Sequence, residues 1–224
     1  MSEVEFARDG RVATITLRRP AEQNRLTRSV LLALQGIVDE LAGDGDVQAV
    51  VLTGSGSEFF SMGILSPTVR AGYTKEQVLE LVRTANRLYD ALETLPQIVI
   101  AALNGIARAG AAELALACDI RLAAAHATFA MPEARWGGAP GAVLAVHPAD
   151  RLLAEAQALA ARIAASGPLA TRGAKRIIST RLLAGFGEAR ALSDTLRHAF
   201  EWSHDVDEGA AAHREGRAPW FTGR

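Results

Sequence analysis

A chain of 224 residues with 49% hydrophobic content is long enough for one sizeable core. Its formal net charge of −1, with no basic stripe, excludes an extended nucleic-acid interface. A single cysteine excludes a disulfide framework and fits a reducing cytoplasm, and no run of about 20 apolar residues exists to span a membrane.

Residues 3 to 17 read as two strands joined at Asp9-Gly10, a tight hairpin signal, and the acids Glu3, Glu5 and Asp9 rule out a signal peptide there. Thr27 is placed to cap a helix in which Val30, Leu31, Leu34, Ile37, Val38 and Leu41 recur at helical spacing. The continuous apolar run Ala49 to Thr53 reads as a strand buried on both faces. Strand, helix and strand in this order imply a parallel pair with a right-handed crossover. Residues 66 to 75, with Pro67, Gly72 and Tyr73, read as a mobile loop of the kind that covers ligand sites. Lys75 to Leu95 is an amphipathic helix whose stripe of Val78, Leu81, Val82, Ala85, Leu88, Tyr89 and Leu92 packs into the core. Pro96 stops it, and Ile98 to Ala102 is a second buried strand. Short strands follow at 120 to 124 and 128 to 130, then helices over 149 to 165, 169 to 183 and 187 to 202. No metal-ligand spacing joins His126, His147, His198, His204 and His213.

The chemistry concentrates between residues 104 and 141. Small residues run from Ala107 to Ala112, interrupted by Arg108, and Gly110 lets a ligand approach the main chain. Glu113 stands where the small residues end and an apolar helical run, Leu114 to Cys118, begins. That run predicts a buried Glu113, and lone buried glutamates are rare unless paired or functional. A further acid, Glu133, follows Pro132. A backbone N–H at a helix start, with acids nearby, can stabilise an oxyanion and move protons. Cys118 reads as a small core residue and Asp119 as a backbone-bonding structural acid.

This stretch resembles the crotonase superfamily, the enoyl-CoA hydratase/isomerase family. The family pattern N-G-x-A-x-G-G-G-x-E-L-A-L-A-C-D, then A-x-F-x-x-P-E and G-x-x-P-G, is met by Asn104-Gly105, Ala107, Gly110, Glu113 to Asp119, Ala127, Phe129, Pro132-Glu133, Gly137 and Pro140-Gly141. Arg19-Pro20, Asn24, Leu26, Val50 to Gly54 and Phe60 to Gly63 extend the match, as do Ser203, Asp205, Glu208-Gly209, Ala212, Arg217, Pro219, Phe221 and Gly223-Arg224 near the end.

The resemblance implies an α/β fold. Its crotonase-like ββα spiral core would occupy 1–148, and C-terminal helices over 149–224 would pack subunits into a homotrimer or homohexamer. It implies an oxyanion hole from the N–H groups of Ile64 and Gly110, with Glu113 and Glu133 as the catalytic acids. Substrate contacts are implied at Asn24, Arg25, Leu26, Ser61, Met62, Gly63, Ala109 and Gly141. The substrate would be an acyl-CoA thioester, coenzyme A being part of that substrate, with no separate cofactor and no metal. Hydration of a 2-enoyl-CoA is the expected reaction; double-bond isomerisation and a non-catalytic scaffold are the alternatives.

Six departures mark this chain, one of them His213 where the family has a phenylalanine. The glycine triplet reads Ala109-Gly110-Ala111, Ile64 is large enough to narrow the pocket mouth, and Leu65 replaces an aspartate. Gly216 stands where the family has a lysine that holds the nucleotide end of CoA, which leaves Lys175 and Arg176 as phosphate contacts or as a solvated helix face. Some tens of residues that the family carries after Pro-Gly have no counterpart beyond Gly141; if the protein itself lacks them, the wall behind Glu133 would be more open or rebuilt by a neighbouring subunit.

Overall fold

In the computed structural model, residues 2–64, 69, 72–130, 145–183 and 186–224 are described. β1 (Val4–Asp9) and β2 (Val12–Leu17) form the expected antiparallel hairpin, with Gly10 at φ +55 in its turn. Alternation along β2 puts Ala13, Ile15 and Leu17 inside, none more than 1% exposed. β3 (Ala49–Gly54) is buried at every position, as its unbroken apolar run requires, and pairs in parallel with β2 and β5 (Ile98–Leu103). β7 (Ile120–Ala124) and β9 (Ala145–His147) complete a six-stranded sheet in the order β1-β2-β3-β5-β7-β9.

After three strands of this sheet the chain makes a shorter strand in a second, parallel sheet. These are β4 (Phe59–Ser61), β6 (Ile106–Arg108) and β8 (Phe129–Ala130), in that order. The repeated passage from large sheet to small sheet, with a helix after the first two repeats, is a ββα spiral. The helix after β4 is α2 (Lys75–Thr94), and the helix after β6 is α3 (Gly110–Leu116). α1 (Arg28–Gly43) lies between β2 and β3, capped by Thr27, whose Oγ1 accepts from the Val30 N–H at 3.3 Å. Its buried Val30, Leu31, Leu34, Val38 and Leu41 join Leu81, Leu88 and Leu92 of α2 in the core. Each such leucine contributes about 2 kcal/mol by leaving water. Thr74 and Gln77 cap α2 reciprocally: Gln77 N–H donates to Thr74 Oγ1 at 3.3 Å, and Thr74 N–H donates to Gln77 Oε1 at 2.9 Å.

The contacts divide the chain into Met1–Ala160 and Ala161–Arg224. α4 (Leu152–Ala164) carries the chain across that division, and α5 (Pro168–Leu183), α6 (Phe186–Glu201) and α7 (His204–Glu215) make up most of the second unit. The end of the chain is held by Asp205, 6% exposed. Its carboxylate accepts from the N–H groups of Thr222 at 2.7 Å and Gly223 at 2.9 Å, and its own N–H donates to the Arg224 carbonyl at 3.3 Å. Arg217 donates to both oxygens of Glu208, at 2.6 and 2.9 Å, and holds that carboxyl well below the usual carboxylate range. Gly216, at φ +66, follows the last residue of α7 as a left-handed helix stop, a conformation that favours glycine over the lysine of the family pattern. No helix among the described residues is long and apolar enough to cross a membrane.

Candidate active site

Three chain segments meet at the ends of β4 and β6, and polar contacts hold them there. Asn24 is 1% exposed and sits at φ +49. Its Nδ2 donates to the carbonyls of Ser55 at 2.9 Å and Phe59 at 2.8 Å, and its Oδ1 accepts from the Arg19 N–H at 2.9 Å. Asn24 therefore works on the backbone of this chain. Two backbone bonds then stitch the Asn24 turn to the end of β4: Met62 N–H donates to the Gln23 carbonyl at 3.0 Å, and Leu26 N–H donates to the Gly63 carbonyl at 3.1 Å. Ser61 is fully buried, and its Oγ accepts from the Gly63 N–H at 3.0 Å. Arg25 is partly buried; Nη2 donates to Gln23 Oε1 at 2.8 Å, and among the described residues its buried Nη1 meets no acceptor.

Gly63 brings the third segment in. It has φ +73, and a side-chain carbon there would stand 2.5 Å from the Arg108 carbonyl oxygen and 3.0 Å from the Gly110 nitrogen. The backbone at Gly63-Ile64 thus lies directly against the backbone at Ala109-Gly110. Gly110 is the first residue of α3, so its N–H has no acceptor within that helix. The two N–H groups assigned to an oxyanion hole therefore belong to adjoining stretches of main chain. Ile64 packs inward: it is 8% exposed, and its Cγ1 and Cδ1 both lie 2.8 Å from the point where a side-chain carbon on Gly110 would stand.

Ala109 carries the tightest backbone in this region, φ +54 and ψ −130, a combination that glycine adopts readily and alanine does not. Strain of this kind costs about 1–3 kcal/mol, against about 0.5–1 kcal/mol for the extra chain entropy a glycine loses on folding. Ala109→Gly is thus expected to stabilise the protein by about 1 kcal/mol, a rise in Tm of roughly 2–4 °C. Thermal melting checks it, and an unchanged or lower Tm would show that Ala109 is unstrained.

Glu113 is exposed, not buried as its apolar neighbours suggested. α3 has only seven residues, and its inner side is formed by Gly110, Ala111, Ala112, Leu114 and Ala115. Glu113 falls on the opposite side, within one turn of Gly110 and open to solvent. Glu133 and Gly141 lie outside the described residues, as does Leu65. Cys118 is 4% exposed with its thiol 3.4 Å from the Leu114 carbonyl, a core residue as read. Asp119 Oδ2 accepts from the Val99 N–H at 2.8 Å, a structural role as read. Lys175 is 6% exposed and so is not presented as a phosphate contact, whereas Arg176 is exposed.

One residue of this neighbourhood was read only as part of a core stripe. Tyr89 of α2 donates its hydroxyl to the Gly110 carbonyl at 2.7 Å. Burial pushes its phenol well above the ordinary range, and the negative charge of Glu113 pushes it the same way. The signal was there: Tyr89 is the one hydroxyl-bearing residue in an otherwise aliphatic stripe.

Comparison with known proteins follows this geometry. A sequence model of a family described as enoyl-CoA hydratase/isomerase matches residues 7–146. The 2,3-dehydroadipyl-CoA hydratase of Escherichia coli is 31% identical over 263 aligned positions, covering 100% of both chains. An alignment that long against 224 residues means the relative carries tens of positions with no counterpart here. The short-chain-enoyl-CoA hydratase of Clostridium acetobutylicum is 35% identical over 141 residues, 63% of this chain and 54% of its own. Among solved structures, an enoyl-CoA hydratase from Bacillus anthracis superposes with a TM-score of 0.93 at 29% identity, covering 100% of both chains.

Proposed function

Because the chain belongs to the enoyl-CoA hydratase/isomerase family, an enzyme family, we propose that it adds water across the double bond of a 2-enoyl-CoA thioester. The observation that carries this reading is the meeting of Gly63-Ile64 with Ala109-Gly110, with Glu113 exposed within one turn. The thioester carbonyl accepts from the N–H groups of Ile64 and Gly110. One of the two acids, Glu113 or Glu133, takes a proton from water as the water oxygen bonds to C3. The π electrons move onto the carbonyl oxygen, where the two N–H groups hold the enolate charge. The other acid delivers a proton to C2, the carbonyl re-forms, and the 3-hydroxyacyl-CoA is complete. Neither step calls for a metal or a separate cofactor. Arg25, with a buried guanidinium N–H that meets no acceptor among the described residues, supports a contact to an anionic part of the coenzyme A.

The same reading includes a homotrimer or homohexamer built through the C-terminal helices; Trp202, in the turn before α7, and Trp220, in the tail after it, stand 82% and 76% exposed. One experiment tests both. The purified protein is sized by light scattering and then offered 2-enoyl-CoA and 3-enoyl-CoA thioesters of short, medium and aromatic acyl groups. We expect a trimer or hexamer that hydrates at least one 2-enoyl-CoA. A stable monomer at micromolar concentration contradicts the assembly. Turnover of 3-enoyl-CoA alone makes it an isomerase, and binding without any turnover makes it a scaffold.

A further inference from the structure

An oxyanion donor works only if it is aimed before the charge develops. Glycine is the residue least able to aim itself, because no side chain restricts its φ and ψ. In this chain Gly110 is held by two neighbours. The Ile64 side chain packs on it, with Cγ1 and Cδ1 2.8 Å from the point where a side-chain carbon would stand. The Tyr89 hydroxyl lies 3.1 Å from the same point and donates to the Gly110 carbonyl at 2.7 Å. The two constraints come from different elements: Tyr89 belongs to α2, and Ile64 follows β4. Ile64 also couples the two donors, since the residue that offers one N–H packs its side chain against the residue that offers the other.

We propose that Tyr89 is a positioning residue of the reaction: its hydrogen bond to the Gly110 carbonyl, together with Ile64 packed on Gly110, fixes the direction of the Gly110 N–H and so sets how strongly the thioester carbonyl is polarised. The inference rests on the oxyanion role proposed above for Gly110. Tyr89 touches neither substrate nor reacting atoms, and it acts only through Gly110: the carbonyl it holds belongs to the peptide that follows the one carrying the Gly110 N–H, so the restraint passes through the Gly110 backbone angles. Its phenol stays protonated throughout the working range, because burial, and then the charge of Glu113, disfavour the phenolate. The donor is therefore constant, and its removal should lower the rate without altering the pH profile.

Tyr89→Phe takes away one oxygen and leaves no buried donor unmade, so the fold should be retained, which thermal melting checks. The substrate is crotonyl-CoA with an isotope label at the carbonyl carbon. Two quantities are read: the kinetic constants for hydration, and the infrared stretch of the bound carbonyl. We expect the wild-type protein to move that stretch to lower frequency and Tyr89→Phe to move it less. We expect kcat to fall about tenfold with KM within about twofold, a misaimed donor costing part of what a lost one costs. Ile64→Val, which withdraws Cδ1 from Gly110 and keeps the Ile64 backbone N–H, is the second variant and carries the same expectation for the carbonyl stretch. Should Tyr89→Phe fail to fold, Ile64→Val alone decides. An unchanged carbonyl shift in the folded variants, or an unchanged kcat in Tyr89→Phe, overturns the positioning role. A wild-type complex with no carbonyl shift is a different failure: it removes the oxyanion reading of Gly110 itself.

Discussion

Replacing either Glu113 or Glu133 by glutamine is expected to lower the hydration of a 2-enoyl-CoA by about 10² or more, the usual range for a group that moves a proton in the transition state. Glutamine keeps the size of the side chain and most of its hydrogen bonding, and loses the ionisable proton. Hydration needs both acids, because one proton leaves water and another reaches C2 of the acyl chain. Isomerisation needs only one base that moves a single proton between two carbons. Glu113→Gln should therefore spare any conversion of 3-enoyl-CoA, whereas Glu133→Gln should abolish it. The exposure of Glu113 makes its variant an informative one. Substitution on an open helix face typically changes stability by no more than about 0.5 kcal/mol, so a lost rate cannot be assigned to a lost fold. Kinetics on each folded variant with both substrate types is the measurement. If Glu113→Gln hydrates at the wild-type rate, the two-carboxylate mechanism is wrong and isomerisation moves ahead. If neither variant changes any reaction while CoA thioesters still bind, the scaffold alternative gains.

Much of the frame was legible because two simple signals carry it. Unbroken apolar runs marked β3 and β5 as strands buried on both faces, which is what a parallel sheet under cover requires. The glycines at 63 and 105 stood out as matches to the family pattern, and the structure gives their cause in backbone packed against backbone. A side-chain carbon on Gly63 would meet the Arg108 carbonyl, and one on Gly105 would collide with the carbonyl of Glu58. Other features were hidden for physical reasons. Apolar neighbours indicate that a helix is buried, but α3 is too short and too close to the surface for all its sides to be inside, so Glu113 came out exposed. Lys175 lies on a helix whose polar composition suggested a solvated face, yet it is buried. The apolar stripe of α2 shows which side faces inward and says nothing of what the Tyr89 hydroxyl meets there. The sign of φ at Ala109 leaves no mark in the sequence either, since alanine is ordinarily found at φ below zero.

The N–H of Gly110 is the atom on which the proposed chemistry turns. Side-chain substitution tests it poorly, because any added carbon would stand 2.8 Å from Ile64 and 3.1 Å from the Tyr89 hydroxyl. Proline brings the same carbon and also constrains Ala109, which already sits at φ +54. Exchanging the amide of Gly110 for an ester replaces N–H by oxygen and adds no bulk. The first N–H of a helix takes no part in the helical ladder, so no bond of α3 loses its donor; the Ala109 carbonyl, now of an ester, accepts somewhat more weakly from the N–H groups of Ala112 and Glu113. Loss of one oxyanion donor costs about 10²–10³ in rate. The direct measurement is therefore kcat/KM for hydration of a 2-enoyl-CoA by the protein with and without this ester, with Tm and oligomeric size as controls on the fold. The account predicts a fall of about 10²–10³ at unchanged size and with only a small drop in Tm. An ester-bearing protein that is folded and turns over at the wild-type rate would contradict it.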